Sequence, residues 1–223
     1  MFKENMEKYG KMFNTDKIIS HKYHNIYSQF IEKFENINGS MIEIGIEESY
    51  SLKMWLNLFK NIHIYGFDIN IEKTGDRYDI FKGDQSNEED LNKFTKIIDK
   101  PVYFINDDGS HIPEHQLLTF NKLFPYLEEG GIYIIEDIET SYWSKGHIYN
   151  YDTTYGYKNS KSIIEIFKNV IDCVNSKFLL NKIETPIKHL DNIKMISFLY
   201  NCIIIEKKNK EEEVNKYNFH YNL

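Results

Sequence analysis

Cysteine is scarce: Cys173 and Cys202 are the two in 223 residues. That excludes a disulfide scaffold and a zinc site built from four cysteines. Both lie among apolar residues, so buried free thiols are expected, which suits a reducing cytoplasm. Proline is also scarce, at four, and no Ser/Gly-rich linker or internal repeat marks a domain boundary. At about 150 residues per domain, the chain reads as one domain, 1–223, with an N-terminal helical cap (1–40), a core (41–206) and a charged tail (207–223). Long apolar runs are missing. The longest, Ile196 to Ile205, is too short for a membrane span and is broken by Ser197 and Asn201. The opening MFKENMEKYGKMF has no apolar region of the kind a signal peptide carries, so a cytoplasmic location is expected. There is no basic excess: 27 Lys+Arg face 34 Asp+Glu, for a net charge of −7. With a pI near 5.6, the chain lacks the positive field that nonspecific nucleic-acid binding requires. The mean hydropathy of −0.53 fits a soluble globular protein.

What is present is an alternation of short apolar runs with helical patterns. Tyr23, Ile26, Tyr27, Phe30, Ile31 and Phe34 fall at helical spacing and predict a helix over 21–35. Strands are predicted at 41–46, 62–69, 78–84, 102–107 and 131–137. Helices are predicted over 51–60, over 88–99 with Asn87 as N-cap, over 113–127 opening on Pro113, and over 160–175. Asn38-Gly39 reads as a turn, and Gly130-Gly131 follows the helix 113–127. Two further strands are predicted near 177–183 and 194–206, paired antiparallel. Seven strands with intervening helices predict a mostly parallel α/β sheet covered on both faces. The tail beyond 206 is expected to be solvated, with Phe219 and Tyr221 as docking residues.

In such a sheet ligands sit beyond the carboxyl ends of the strands, so the polar residues there carry the functional signal. The first strand ends Glu43-Ile44-Gly45, where glycine permits close backbone approach. The second ends at Asp68, placed to accept ribose hydroxyls. The third ends Gly83-Asp84-Gln85, a polar turn able to read an adenine edge. Each alone is more often a turn or a cap; three at successive strand ends favour a nucleoside-containing cofactor. The expected cofactor-binding set is Glu43, Gly45, Asp68, Asp84, Gln85 and Asp107. GxGxxG is absent, and Glu47 and Glu48 after Gly45 would repel a pyrophosphate. That disfavours NAD, FAD and ATP and favours S-adenosylmethionine, which has a ribose and an adenine but no phosphate.

The fourth strand ends Asp107-Asp108-Gly109-Ser110-His111 and the fifth ends Glu136-Asp137. Carboxylates so close raise one another's pKa unless a cation neutralises them, and oxygen ligands favour Mg²⁺ or Ca²⁺. Adjacent strand residues face opposite sides, so Glu136 and Asp137 can share an ion only if the strand curls. His111 is placed to take a proton from a hydroxyl. The plainer reading makes Asp108 a helix cap, His111 a surface residue and Glu136 and Asp137 solvated. Tyr142 and Trp143 are expected either in the core or as a pocket wall. His21, Tyr23 and His24 are expected at the surface, with a cover over the cofactor as the alternative, and Trp55 is expected in the core. His63, His115, His147, His189 and His220 show no metal-ligand spacing, and there is no GxSxG.

The segments IEIGI…SLKMW (42–55), GFDI (66–69), GDQS (83–86), DDGSH…LFPYL…GG (107–131) and YIIEDIETSYW (133–143), with TDK (15–17) and HKYHNIY (21–27), resemble the metal-dependent class I methyltransferases of the mycinamicin sugar O-methyltransferase type. The resemblance covers residues 14–145. It implies a Rossmann-like class I methyltransferase fold with S-adenosyl-L-methionine as cofactor. It implies a divalent metal, usually Mg²⁺, at Asp108, Glu136 and Asp137, and His111 as general base, with Asp108 beside it in the catalytic set. Asp68 matches the ribose-binding acid, and Asp84 and Gln85 lie at the adenine end. The chain departs from the family at Glu47-Glu48-Ser49-Tyr50, where relatives carry more glycine.

The function expected is Mg²⁺-dependent O-methylation of a hydroxyl on a sugar or sugar-bearing small molecule. The alternatives are a non-catalytic cofactor-binding protein, favoured by Glu47 and Glu48, and a hydroxylase-like enzyme sharing the DDGSH pattern. The partners expected are a small sugar-type acceptor, no nucleic acid and no membrane, and the aromatic-rich composition is compatible with a homo-oligomer.

Overall fold

A computed structural model describes residues 1–144, 154–175 and 184–209. Its centre is one sheet. Strands β1 (Gly39–Ile44), β2 (Ile62–Asp68), β3 (Lys73–Gly75), β4 (Tyr78–Lys82), β5 (Val102–Asp107), β6 (Leu127–Glu136), β7 (Ile193–Leu199) and β8 (Cys202–Lys207) lie in the order β3-β4-β2-β1-β5-β6-β8-β7. From β4 through β6 all neighbours are parallel; β3, β8 and β7 pair antiparallel. Helices α1 (Phe2–Phe13), α2 (Asp16–Ile19), α3 (His24–Ile31), α4 (Tyr50–Leu58), α5 (Glu88–Thr95), α6 (Pro113–Leu123) and α7 (Ile163–Val174) complete the described architecture. Among the described residues no helix is long and apolar enough to cross a membrane.

Every residue of β1 is buried, as the continuous run MIEIGI implies for a strand covered on both faces. One face packs Phe2, Met6, Tyr27, Ile31 and Trp55 from α1, α3 and α4. The other packs Leu91, Phe94, Phe120, Leu123 and Phe167 from α5, α6 and α7. The Asn87 side chain accepts from the Glu89 amide at 2.9 Å, as an N-cap does, and Pro113 opens α6. The chain's one arginine, Arg77, donates to the carbonyls of Leu56, Phe59 and Lys60 at 2.5, 2.7 and 3.1 Å. It thereby satisfies acceptors that the end of α4 leaves free.

Four expectations change. The sheet has eight described strands, not seven. β3 is an exposed three-residue hairpin arm with no apolar pattern to announce it. The run 194–206 is two strands, folding back at Tyr200-Asn201, where Asn201 takes φ 56°. The strand expected from 131 begins at Leu127, so Gly130-Gly131 forms an irregularity inside β6, with Gly130 at φ 70° and a slipped register against β5. The predicted helix 21–35 is shorter, α3 plus one turn of 3₁₀ helix at Glu32–Phe34, and α1 and α2 precede it. The expected strand at 177–183 and the residues His147, Phe219, His220 and Tyr221 lie outside the described residues. Cys173 and Cys202 are free and buried, as expected.

Candidate functional site

β1 sits between β2 and β5, so the chain turns opposite ways on either side of it, which is where open α/β sheets bind ligands. A cleft of about 950 Å³ opens there, lined among others by Gly45, Glu47, Asp68, Asp84, Asp108 and His111. Gly45 is required by geometry. It holds φ 81°, and a Cβ on it would lie 2.1 Å from the carbonyl oxygen of Asp108. The loops after β1 and β5 therefore touch, pinned further by the Asp108 amide donating to the Ile44 carbonyl at 3.0 Å.

The cofactor candidates divide into two layers. Gly45, Asp68, Asp84 and Gln85 line the cleft; Glu43 and Asp107 do not. Glu43 is fully buried and accepts from Trp55 Nε1 at 2.9 Å. Asp107 is also buried and accepts from Gln85 Nε2 at 2.8 Å and from Tyr133 Oη at 3.3 Å. Burial pushes the carboxyls of both up to about 7. Asp68 Oδ2 accepts the amides of Ile46 and Glu47 at 2.9 and 3.0 Å, and Oδ1 those of Asn70 and Ile71 at 2.7 and 3.0 Å. Its four lone-pair sites thus tie the loop after β1 to the loop after β2. Gln85 braces β5 as well, Oε1 accepting from the Ser110 amide at 2.8 Å.

At the mouth of the cleft one ligand atom each from Asp108, His111 and Asp137 lies within 4.8 Å of the others. β6 does curl at its end: Asp137 adopts φ 51° and turns away from Glu136. His111 is at φ 56°, with Nε2 3.8 Å from Asp137 Oδ2. Its carbonyl accepts from Thr140 Oγ1 at 2.6 Å. Asn201, on the β7–β8 turn, donates through Nδ2 to Asp137 Oδ1 at 2.8 Å and accepts from the Glu139 amide at 3.1 Å. Burial first, then the charges of Asp108 and Glu139, push Asp137 up to about 7. Two crowded carboxylates, with that of Asp137 raised, fit a hard divalent cation and leave the His111 imidazole beside them.

Glu136 is not in that trio. It is buried, and its Oε2 accepts from Lys17 Nζ at 3.0 Å; the same ammonium donates to Asp108 Oδ2. Burial opposes the charge on Lys17, but Asp108, Glu136 and Glu43 outweigh it and hold the ammonium well above the ordinary lysine range. Sequence reasoning missed Lys17, Thr140 and Asn201 as site residues. TDK stood out only within the family pattern, and Asn201 only as a break in an apolar run.

His21 lines the cleft. Tyr23 and His24 are buried rather than at the surface. Tyr23 stacks between His21 and Tyr27 at 4.9 and 4.8 Å, and a stacked aromatic column explains why the run is not solvated. Trp55 is in the core as expected, and Tyr142 is 53% exposed. Neither Tyr142 nor Trp143 lines the cleft. His115, which does, bonds to Ser110 Oγ through Nδ1 at 2.8 Å.

The strand order and the cleft define a Rossmann-like class I methyltransferase fold. No family model matches the chain. It is 28% identical over 205 residues to the 8-demethyl-8-alpha-L-rhamnosyl tetracenomycin-C 2'-O-methyltransferase of Streptomyces olivaceus, covering 87% of this chain and 52% of that protein. It is 29% identical over 196 residues to the mycinamicin VI 2''-O-methyltransferase of Micromonospora griseorubida, covering 83% and 48%. The solved MycE methyltransferase of the mycinamycin biosynthetic pathway, in complex with Mg and SAH, superposes with a TM-score of 0.80 at 26% identity, covering 96% of this chain and 57% of that one. The chain is thus similar over most of its length to sugar O-methyltransferases, and it spans about half the length of these relatives.

Proposed function

We propose that the chain is an S-adenosylmethionine- and Mg²⁺-dependent O-methyltransferase acting on a hydroxyl of a sugar-type small molecule. The observation that carries this reading is the Asp108–His111–Asp137 trio at the mouth of a cleft whose loop bears Glu47 and Glu48. That loop repels phosphates and leaves S-adenosylmethionine, which has none, as the nucleoside cofactor that fits. Bound together, the cofactor supplies a methyl group on a sulfonium and the divalent ion supplies a Lewis acid for the acceptor oxygen.

The residues supply binding and orientation. Gly45 lets the cofactor approach the end of β1, Asp68 fixes the shape of its loop, and Asp84 and Gln85 face the adenine end. Asp108 and Asp137 would hold the ion, with the buried Glu136 next to Asp137 in sequence and within reach of the same site. His111, whose Nε2 lies 3.8 Å from Asp137 Oδ2, would take the acceptor's hydroxyl proton. Holding acceptor and methyl group in line is the larger contribution, since the leaving group needs little help. The free, buried cysteines support a reducing, cytoplasmic setting, and we read the chain as one methyltransferase domain.

The test is methyl transfer from S-adenosylmethionine to a panel of sugars and glycosylated small molecules. Activity is expected with Mg²⁺, lost on chelation and restored by the ion. His111→Ala is expected to lower turnover on the order of 10²–10⁴-fold, the range of a general base. Full activity after thorough chelation, or near-normal turnover in His111→Ala, would overturn the corresponding assignment.

A further inference from the structure

His115 lines the cleft but has no part in the trio of Asp108, His111 and Asp137. It lies in the first turn of α6, and a chain of hydrogen bonds fixes its ring. The chain starts at Asp107, whose buried carboxyl accepts from Gln85 Nε2 at 2.8 Å. Gln85 Oε1 accepts from the Ser110 amide at 2.8 Å. Both ends of the Gln85 amide are thus bonded to protein, and the loop presses on it: a Cβ on Gly109 would lie 2.3 Å from Gln85 Oε1. Ser110 Oγ then lies 2.8 Å from His115 Nδ1. The Ile112 amide donates to the same oxygen at 3.4 Å, and Nδ1 is the acceptor that the hydroxyl hydrogen meets among the described residues. A neutral ring that accepts at Nδ1 carries its hydrogen at Nε2. Burial holds this imidazole below the ordinary histidine value, which favours the neutral ring. Nε2 has no protein partner among the described residues and is not sealed from solvent. The Asp84 carboxylate lies near enough for its charge to act on the ring. Its Oδ1 accepts from the Ser86 amide and hydroxyl at 2.8 and 2.7 Å, which leaves Oδ2 to accept from a ligand.

A donor beside an acceptor matches the edge of adenine on which the 6-amino group is flanked by N1 and N7. We propose that His115, rather than Gln85, reads the adenine of the cofactor: its Nε2–H donates to N1 or N7, and Asp84 accepts from the amino group. This rests on the reading of the cleft as an S-adenosylmethionine site. Gln85 and Ser110 are positioning residues that hold the ring and its tautomer, and Asp107 anchors them. The buried network under the loop after β5 thereby sets which base the cleft accepts.

The test is calorimetric binding of S-adenosylhomocysteine to the full chain, with no turnover involved, beside two analogues that carry C–H in place of N1 or of N7. The wild type is expected to bind one of the analogues about tenfold more weakly than S-adenosylhomocysteine, the effect of one donor left unpaired. His115→Phe, which keeps an aromatic ring but has no N–H, should weaken S-adenosylhomocysteine about tenfold and leave binding of that same analogue within about twofold of the wild type. Ser110→Ala should show a smaller loss, about threefold, confined to the same ring nitrogen. Should His115→Phe fail to fold, His115→Leu carries the same comparison, and the wild-type preference among the three ligands stands by itself. If the wild type binds all three equally, or if His115→Phe weakens all three by the same factor or none of them, His115 does not read the base; the proposal falls and the cofactor site stands. An equal loss of all three in Ser110→Ala would overturn the positioning role of Ser110. If the wild type binds no S-adenosylhomocysteine, the cofactor reading itself falls, and this inference with it.

Discussion

Burying a carboxyl is costly, and the described residues bury Glu43, Asp107 and Glu136 almost completely. Glu43 is fully enclosed, and burial raises its carboxyl from 4.5 to about 7 against the opposing pull of Lys17 and Trp55. The folded chain therefore holds this proton more tightly than the unfolded chain does. Its effect is to lower stability as pH climbs from about 4.5 to about 7 and to level off above. Glu43→Gln, which keeps an acceptor for Trp55 Nε1, should match the wild type near pH 4.5 and exceed it at pH 8. The gain at pH 8 is bounded by roughly 3 kcal/mol, the value of the shift at 1.36 kcal/mol per unit. Urea unfolding at the two pH values checks this; an equal difference at both would remove Glu43 as the cause. The sequence placed Glu43 at a strand end, hence near a ligand. It does not say that the side chain points beneath the cleft, because that depends on which face of β1 meets α4.

Among elements, the β7–β8 hairpin does more than extend the sheet. Its turn presents Asn201, at φ 56°, to Asp137 and to the Glu139 amide. Asn201→Ala removes both bonds, and the loss of one charge-assisted and one neutral hydrogen bond predicts a destabilisation of about 1–3 kcal/mol. It should also weaken binding of Mn²⁺, because Asp137 is no longer held; an unchanged ion affinity would show that the hairpin only supports the fold. The helices and strands that bury apolar residues at regular spacing, such as 51–60, 62–69 and 102–107, were legible in the sequence, as were Asn87 as N-cap and Pro113 at the start of α6. β3 was not, because its three residues are largely exposed and carry no pattern. Nor was the split of 194–206, because a two-residue turn at Tyr200-Asn201 hides within an apolar run. The gathering of Asp108, His111 and Asp137, with Glu136 turned to Lys17 in exchange, was not legible in the sequence. That exchange follows from the left-handed backbone at Asp137 and from a lysine 119 residues away from Glu136.

At the scale of the whole molecule, the sheet joins the N-terminal helices to the C-terminal hairpin through the site itself. α2 reaches Asp108 and Glu136 from one side, and the β7–β8 turn reaches Asp137 from the other. An ion held by these carboxylates would therefore clamp elements far apart in sequence, as binding to the folded state alone must stabilise it. One buried atom offers a clock for that clamp. Cys202 opens β8, directly opposite Glu136 in the register, and it is 0% exposed. Burial pushes its thiol up to about 12, so it meets alkylating reagents as a poor nucleophile and only when the strand peels away. Its modification rate thus measures the free energy of opening the sheet beside the site, with Cys173 on α7 as an internal comparison. Mg²⁺ should slow labelling of Cys202 more than that of Cys173; equal protection of both would mean that the ion acts only on global unfolding.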